Sequence, residues 1–245
     1  MIIYLFTDFS FQGPYVGELK AVLARAVSAG QPIIDLMHDA PLYDPESSAY
    51  LLAALSSRFQ PGDVCLGVVD PGVGDPGRRP VIVEVDGVTY CGPDNGLFSQ
   101  IIKKARIVKA YEIAWQPGDI SNSFHGRDIF APALLKYLNQ EDLLLEPIPE
   151  TVLVGNEWPA ECSKVIYIDG FGNLITGLKP ESLTTKSVII ISEHQVHYAD
   201  TFSSSPSGSA FWYVNSMGLI EIAVNQRCAD KDFQAKIGTE LSVVK

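Results

Sequence analysis

Val64-Cys65-Leu66-Gly67-Val68-Val69-Asp70-Pro71-Gly72-Val73-Gly74-Asp75-Pro76-Gly77-Arg78-Arg79-Pro80-Val81-Ile82-Val83-Glu84-Val85 decides how the first part of this chain folds. Residues 64–69 form an apolar run of strand length, of the kind buried in a parallel sheet. Pro71 to Gly77 is a turn-rich connection. From Pro80 onward the residues alternate like a second strand. Gly72, Gly74 and Gly77 spell G-x-G-x-x-G, but a dinucleotide fold needs a helix here, whose N-terminus meets the pyrophosphate. A phosphate loop is also nearly matched, yet Arg78-Arg79 stands where Lys and Ser or Thr belong. Against both nucleotide readings stands a plain strand connection. It lies at the carboxyl end of a strand, where open α/β sheets bind ligands.

Outward from this stretch, strand and helix signals alternate. Residues 2–6 and 32–37 are short strands. Pro14 opens a helix carrying Tyr15, Val16, Leu19, Val22, Leu23 and Ala26 at helical spacing. Asp44-Pro45 is an N-cap with proline at the first helical position. Asp86-Gly87 is a type I′ hairpin signal between strands 81–85 and 88–91. Residues 97–105 and 129–138 read as helices, with a strand at 108–113 between them. The fold class predicted is α/β: an N-terminal, mostly parallel sheet flanked by helices over residues 1–145. A linker is predicted at 146–160, where Glu146-Pro147-Ile148-Pro149, Gly155 and Pro159 fall. Residues 161–245 carry short strands separated by turns and predict a smaller, all-β, barrel-like domain. The run from Ser203 to Ser209 reads as a polar loop, and the chain carries no internal repeat.

The chain has 245 residues, and 18 Lys and Arg against 29 Asp and Glu give a net charge of 18 − 29 = −11. With 47% hydrophobic and 19% charged residues it can build a core, which rules out a wholly disordered chain. The acidic balance argues against a nucleic-acid partner. No apolar run reaches the roughly 18 residues needed to cross a bilayer. Residues 1–6 lack a basic region and meet Thr7-Asp8 at once, so they read as a first strand and not a signal peptide. Cys65, Cys91, Cys162 and Cys228 lie far apart, without a C-x-x-C pair. They read as reduced cysteines of a cytoplasmic protein.

Loops after strands hold the candidates for chemistry: Thr7-Asp8-Phe9, His38-Asp39, Asp70 to Arg79, Pro93-Asp94-Asn95-Gly96 and Phe124-His125-Gly126-Arg127-Asp128. Asp94 or Asn95, and Asp128, also qualify as helix caps. Asp169-Gly170-Phe171-Gly172-Asn173 and Asn215-Ser216-Met217-Gly218 read otherwise as turns. A G-x-S-x-G elbow is missing, as are H-E-x-x-H and any His/Cys cluster with metal spacing. His194-x-x-His197 reads as an exposed strand pair.

Taken in order, Thr7-Asp8-Phe9, Tyr15-Val16-Gly17, Val69-Asp70-Pro71-Gly72-Val73-Gly74, Pro93-Asp94-Asn95-Gly96-Leu97, Phe124-His125-Gly126-Arg127-Asp128, Asp169-x-Phe171-Gly172-Asn173 and Asn215-Ser216-x-Gly218 resemble the S-adenosyl-L-methionine (SAM) hydroxide adenosyltransferases, relatives of the SAM-dependent fluorinases and chlorinases. The resemblance spans nearly the whole chain. It implies hydrolysis of SAM to adenosine and L-methionine, with SAM as substrate, no cofactor and no metal. It also implies a homotrimer with SAM bound between subunits, and no nucleic-acid or membrane partner.

The resemblance implies Asp70, Arg78 and His125 as the catalytic trio, with water and not halide as nucleophile. It implies Asp8 at the ribose, Tyr43 beside it, Asp169 at the methionine ammonium, Asn173 and Ser216 at the adenine, and Phe171 lining the pocket. Glu221 and Val224 join them as substrate-binding positions. The loop from Asp70 to the arginines is one residue longer than the family spacing, which leaves Arg79 as the alternative to Arg78. Gly13 stands where the family commonly has Asp, and Ser10 replaces a common Gly. A SAM- or adenosine-binding sensor or scavenging module is the alternative of another class. It would need Asp8, Asn173 and Ser216 but not Asp70 and His125.

Overall fold

In the computed structural model, which describes residues 1–26 and 30–244, the chain divides into Met1–Trp158 and Pro159–Lys245. Each unit is mainly sheet, with few helices. The first sheet contains β1 (Ile3–Thr7), β2 (Ile33–Met37), β3 (Val64–Val68), β4 (Pro80–Val85), β5 (Val88–Pro93), β6 (Val108–Ile113) and β7 (Leu145–Ile148), in the spatial order β2-β1-β3-β5-β4-β6-β7. β2–β1, β1–β3 and β3–β5 pair in parallel. β5–β4, β4–β6 and β6–β7 pair antiparallel. The sheet is therefore mixed, where the sequence predicts a mostly parallel one. The hairpin is the cause: Asp86 and Gly87 hold φ of 48° and 87°, the two positive angles of a type I′ turn. That turn folds β5 back along β4 and seats β5 beside β3, so the sheet beyond β5 grows antiparallel.

The helices are α1 (Tyr15–Ala26), α2 (Pro45–Leu55), α3 (Ser99–Ile102) and α4 (Ala131–Leu138). Asp44 caps α2 as its sequence predicts: the carboxylate accepts the Ser47 N–H at 2.9 Å, an interaction that contributes about 1 kcal/mol. α3 covers only part of the predicted 97–105. Ahead of α4, residues Gly126–Phe130 form a π-helical turn. Leu19 and Leu23 of α1 and Leu134 of α4 pack in one core with Ile3, Leu5, Leu66 and Ile82. Each fully buried leucine contributes roughly 1.5–3 kcal/mol by leaving water. Alternate strand residues face the other way. Tyr4 stacks on Phe59, which stacks with Tyr90, and Tyr90 meets Phe98. Gly92 lets β5 lie close to β3: a Cβ there would stand 2.0 Å from the Gly67 carbonyl oxygen.

Most of the predicted linker, 146–160, belongs to the first unit. β7 pairs with β6 along its length, and its prolines are tolerated because an edge strand needs only one side of its hydrogen bonds. Further on, the Val154 N–H donates to Asp94 at 2.9 Å.

The second sheet contains β8 (Val165–Ile168), β9 (Leu174–Thr176), β10 (Val188–Ile191), β11 (His194–Tyr198), β12 (Ala210–Val214), β13 (Ile220–Val224) and β14 (Ser242–Val244), in the order β14-β10-β11-β12-β13-β9-β8. β11 and β12 pair in parallel and the other neighbours antiparallel. Near its ends the sheet curls toward closure as a half-barrel: Lys164 bridges Glu240, and the Leu241 N–H donates to the Ser163 carbonyl at 2.8 Å. Its core holds Leu174, Ile189, Val196, Trp212 and Ile222, with Phe233 beyond the short α5 (Ala229–Asp232). The Trp212 indole N–H donates to the Ser187 carbonyl at 3.0 Å, so the buried ring keeps its polar atom satisfied.

None of the four cysteines forms a disulfide. Cys65 and Cys91 are fully buried, and burial pushes both thiols far above the usual range. Among the described residues no helix is long and apolar enough to cross a membrane.

Candidate active site

Asp70 lies two residues past the end of β3 and is almost wholly buried, its side chain 3% exposed. Its Oδ1 accepts Nη1 of Arg78 at 2.5 Å and the Gly72 N–H at 3.2 Å. Its Oδ2 is buried and has no hydrogen-bonding partner among the described residues. Burial pushes this carboxyl up. The Arg78 guanidinium, the Gly72 N–H and His125 pull against that rise, and Asp75 adds to it. The chain reaches this geometry through the turn-rich loop: the Asp75 N–H donates to the Gly72 carbonyl and the Arg78 N–H to the Asp75 carbonyl, both at 3.0 Å. These two turns bring Arg78 back over Asp70. Arg79 goes elsewhere. Its Nε and Nη2 both bond Oδ2 of Asp94, at 3.0 and 2.5 Å. Of the two arginines that the sequence leaves open, Arg78 faces Asp70 and Arg79 faces Asp94.

A cavity of about 580 Å³ lies at this end of the sheet, lined among others by Asp8, Tyr15, Tyr43, Asp70, Phe124 and His125. Asp8 follows β1 and shares the cavity with Asp70. Burial pushes the Asp8 carboxyl up, and the charge of Asp70 adds to that, while the N–H of Tyr43 lowers it. That N–H donates to Asp8 Oδ2 at 3.2 Å and holds Tyr43 at φ 58°, a left-handed angle uncommon for a residue with a side chain. The Tyr43 ring is 73% exposed at the rim. His125 immediately precedes the π-helical turn. Asp128, a predicted cap, instead holds Arg127 at 2.6 Å and the Ser121 N–H at 2.9 Å. Arg127 also reaches Glu18 of α1 at 2.5 Å. These bonds fix the His125 segment to the rest of the unit.

The second unit has its own cavity of about 780 Å³, lined among others by Asp169, Phe171, Asn173, Ser216, Glu221 and Val224. Asp169 builds the loop: Oδ1 accepts the N–H groups of Phe171 and Asn173, each at 2.9 Å, and Oδ2 accepts the Asn173 side-chain amide at 3.0 Å. The Phe171 ring stands 80% exposed. Glu221 is buried on β13, where it accepts the Tyr213 hydroxyl at 2.5 Å and the Asn215 amide at 2.9 Å. Burial pushes its carboxyl up and those two bonds oppose the rise. Asn215 Oδ1 accepts the N–H groups of Met217 and Leu219, each at 3.0 Å, which shapes the turn that carries Ser216.

The predicted residues therefore gather in two sets. Asp8, Tyr43, Asp70 and His125 line the first cavity with Arg78 behind Asp70, and the six C-terminal positions line the second. Gly13 has φ 113°, an angle that an aspartate would hold only under strain. Ser10, at φ 60°, caps its own turn by accepting the Gln12 N–H at 3.1 Å. His38 directly follows β2. It is wholly buried and bonds Thr7 at 2.7 Å and Asp35 at 3.2 Å. His194 and His197 lie exposed on β11. Among the described residues no three His, Cys, Asp or Glu side chains converge as metal ligands. Leu42 and Ser123 of the first cavity, and Phe202 and Arg227 of the second, escape the sequence reading. Leu42 and Ser123 adjoin flagged residues, Tyr43 and Phe124, and that adjacency was the available signal. Phe202 and Arg227 had none.

Comparison with known proteins places the chain in context. A family model described as the SAM hydroxide adenosyltransferase N-terminal domain matches residues 3–144, and its C-terminal counterpart matches residues 163–242. A relative named (R)-S-adenosyl-L-methionine hydrolase from Thermus thermophilus is 35% identical over 96% of both chains. One of the same name from Salinispora arenicola is 34% identical over 91% of this chain and 90% of its own. The crystal structure of a conserved protein from Thermotoga maritima superposes with a TM-score of 0.83 at 26% identity, covering both chains completely. Another from Thermus thermophilus gives 0.80 at 31% identity over 99% of each.

Proposed function

The chain belongs to the SAM hydroxide adenosyltransferase family, and we propose that it hydrolyses SAM to adenosine and L-methionine by attack of water at the 5′ carbon. The observation that carries this reading is the state of one carboxylate. Asp70 is buried, holds Arg78 on one oxygen, leaves the other without a partner among the described residues, and shares a cavity with Asp8 and His125.

The chemistry needs a base more than an activated leaving group. The sulfonium leaves as a neutral thioether, so the difficulty lies in water, a very weak acid. Asp70 orients the water through Oδ2 and takes its proton as the C–O bond forms and the C–S bond breaks. Burial strengthens it as a base, since it raises the carboxyl. Arg78, whose guanidinium only donates hydrogen bonds, serves to aim the carboxylate. His125 carries the proton onward to solvent. Positive sulfonium and developing hydroxide cancel in the transition state, so a water-poor cavity favours the reaction. The equation balances with water alone, and no cofactor or metal enters it.

Asp8 accepts the two ribose hydroxyls in this scheme, with Tyr43 against the sugar. Asp169 keeps acceptor capacity on Oδ2 for the methionine ammonium. Asn173 and Ser216 meet the adenine, Phe171 covers it, and Glu221 and Val224 back the pocket. The two cavities lie on separate units, each with an exposed aromatic ring at its rim, Tyr43 and Phe171. In line with the sequence resemblance, the proposal includes a homotrimer with SAM bound between subunits, without nucleic-acid or membrane partners. The unlinked cysteines fit residence in the cytoplasm.

The test is incubation with SAM of each sulfonium configuration, followed by chromatography. Equal yields of adenosine and methionine are expected, from the (R) form that the relatives' names specify. Methylthioadenosine or S-adenosylhomocysteine as main product overturns the reaction. Intact SAM with tight adenosine binding would favour a sensor.

A further inference from the structure

We infer that Asp94 and Asn95 are positioning residues for the proposed reaction: they clamp both ends of the loop that carries Asp70 and Arg78, and so set which arginine meets Asp70. The inference rests on the hydrolase reading above. At the loop's entrance, the Asn95 side-chain amide donates to the Val69 carbonyl at 2.7 Å, one residue before Asp70. At its exit, Asp94 takes two bonds from the Arg79 guanidinium, one residue after Arg78. The Asp94 N–H donates to the Arg79 carbonyl at 2.9 Å, which carries the β4–β5 ladder one step past Pro93. Two adjacent residues thus grip two points ten positions apart in the chain, Val69 and Arg79.

The clamp is itself held. Asp94 Oδ1 accepts the Val154 N–H at 2.9 Å, and Arg79 Nη2 reaches the Val152 carbonyl at 2.9 Å. Asn95 Oδ1 accepts the Leu97 N–H at 3.3 Å. Gly96 follows at φ 94°, and the Trp158 ring fills the space its side chain would need, 2.1 Å from an ideal Cβ. Asp94 and Asn95 are both 6% exposed and lie outside the cavity of Asp8 and His125. They touch no reacting atom and act only through the loop. The loop offers two adjacent arginines to one carboxylate. Binding Arg79 at Asp94 leaves Arg78 as the partner of Asp70.

The test compares kcat and KM for SAM in the full chain. Arg79→Ala and Asn95→Ala are the variants used; Arg79→Ala leaves the buried Asp94 carboxylate unpaired, so folding is checked by near-ultraviolet circular dichroism. Each is expected to lower kcat about ten- to a hundredfold, the effect of a misplacement near 1 Å, with KM close to the parent's. Arg79→Lys, which keeps the charge but not the fork, regains part of the loss. The deciding measurement is coupling. If the clamp works through the Arg78–Asp70 pair, then Arg79→Ala added to Arg78→Ala costs little more than Arg78→Ala alone. Full additivity, or an unchanged kcat in both single variants, overturns the clamp. A parent that leaves SAM intact overturns the hydrolase reading, and the clamp's purpose with it. A parent that turns SAM over beside equally active variants overturns the clamp alone.

Discussion

The Arg78 guanidinium occupies the space in which a side chain at residue 72 would stand: a Cβ on Gly72 would lie 2.4 Å from Nη2 of Arg78. Gly72 has no left-handed φ, so alanine there meets no backbone strain. The colliding atom is the end of a flexible side chain and moves aside cheaply. Gly72→Ala is therefore expected to leave the fold intact and displace Arg78 from Asp70. Turnover should fall toward that of Arg78→Ala, by about a hundredfold if the carboxylate is misaimed by ~1 Å. Steady-state kinetics with a thermal melt checks this. Full activity would show that Arg78 finds Asp70 by another route.

The pH dependence of kcat follows from the same pair. Asp70 must be ionised to take a proton, and burial raises its carboxyl above the ordinary value. The acid limb of the profile is thus expected above the free aspartate pKa of about 3.9. Arg78, Gly72 N–H and His125 lower the Asp70 carboxyl, and Asp75 raises it. Asp8 faces it across the cavity. Removing the guanidinium in Arg78→Ala takes away a charge that favours the ionised form, so the limb moves to higher pH. Arg78→Lys moves it less. A limb that stays still in Arg78→Ala would separate it from Asp70, as would one that moves down.

Much of this site was legible in the sequence, because its residues sit on loops that directly follow strands. Asp8 comes directly after β1 and Asp70 two residues after β3, and apolar runs announce both strands. Asp44 and the Asp86-Gly87 turn declared themselves by local rules that need no tertiary partner. What stayed hidden depends on distant contacts. Nothing local distinguishes Arg78 from Arg79; the choice is made by Asp94, which becomes a neighbour only when β4 and β5 pair. The mixed sheet was missed for a related reason. A hairpin signal fixes how two strands meet but not which of them joins the older sheet. Residues 146–149 read as linker because prolines obscure an edge strand.

Asp8 has two tasks that a pair of substitutions separates. It is proposed to hold the ribose, and it accepts the Tyr43 N–H that fixes Tyr43 in its left-handed conformation. Asp8→Ala removes both and is expected to weaken adenosine binding by at least tenfold, in line with loss of a charged hydrogen-bond partner worth about 1.5–3 kcal/mol. Asp8→Asn keeps one oxygen for the Tyr43 N–H but replaces the other with an amide NH2 that donates, and should bind at an intermediate level. Titration calorimetry with adenosine measures both. Equal affinity in folded Asp8→Ala and parent removes the ribose assignment.

Heavy-oxygen-labelled water traces the oxygen that reaches the attacked carbon. Three carbons flank the sulfonium; products tell which of them is attacked, and the label shows that the oxygen bonded to it comes from water. Attack at the 5′ carbon puts the label in the 5′ hydroxyl of adenosine and leaves methionine unlabelled. Attack at the methyl would give labelled methanol and S-adenosylhomocysteine. Attack on the amino-acid side would label a homoserine product beside methylthioadenosine. The site favours the first outcome by position. Asp8 follows β1 and Asp70 follows β3, and these strands are parallel neighbours in register, with Thr7 beside Val68. A ribose held by Asp8 therefore presents its 5′ carbon near the water that Asp70 orients. Among carbons of similar intrinsic reactivity, alignment decides, since misplacement by ~1 Å can cost about a hundredfold. Mass spectrometry of the adenosine after one turnover should show one heavy oxygen, lost on removal of the 5′ hydroxymethyl group and absent from the methionine. Label in methionine, or unlabelled adenosine, would place the base and the ribose grip in some other relation to the reacting bond.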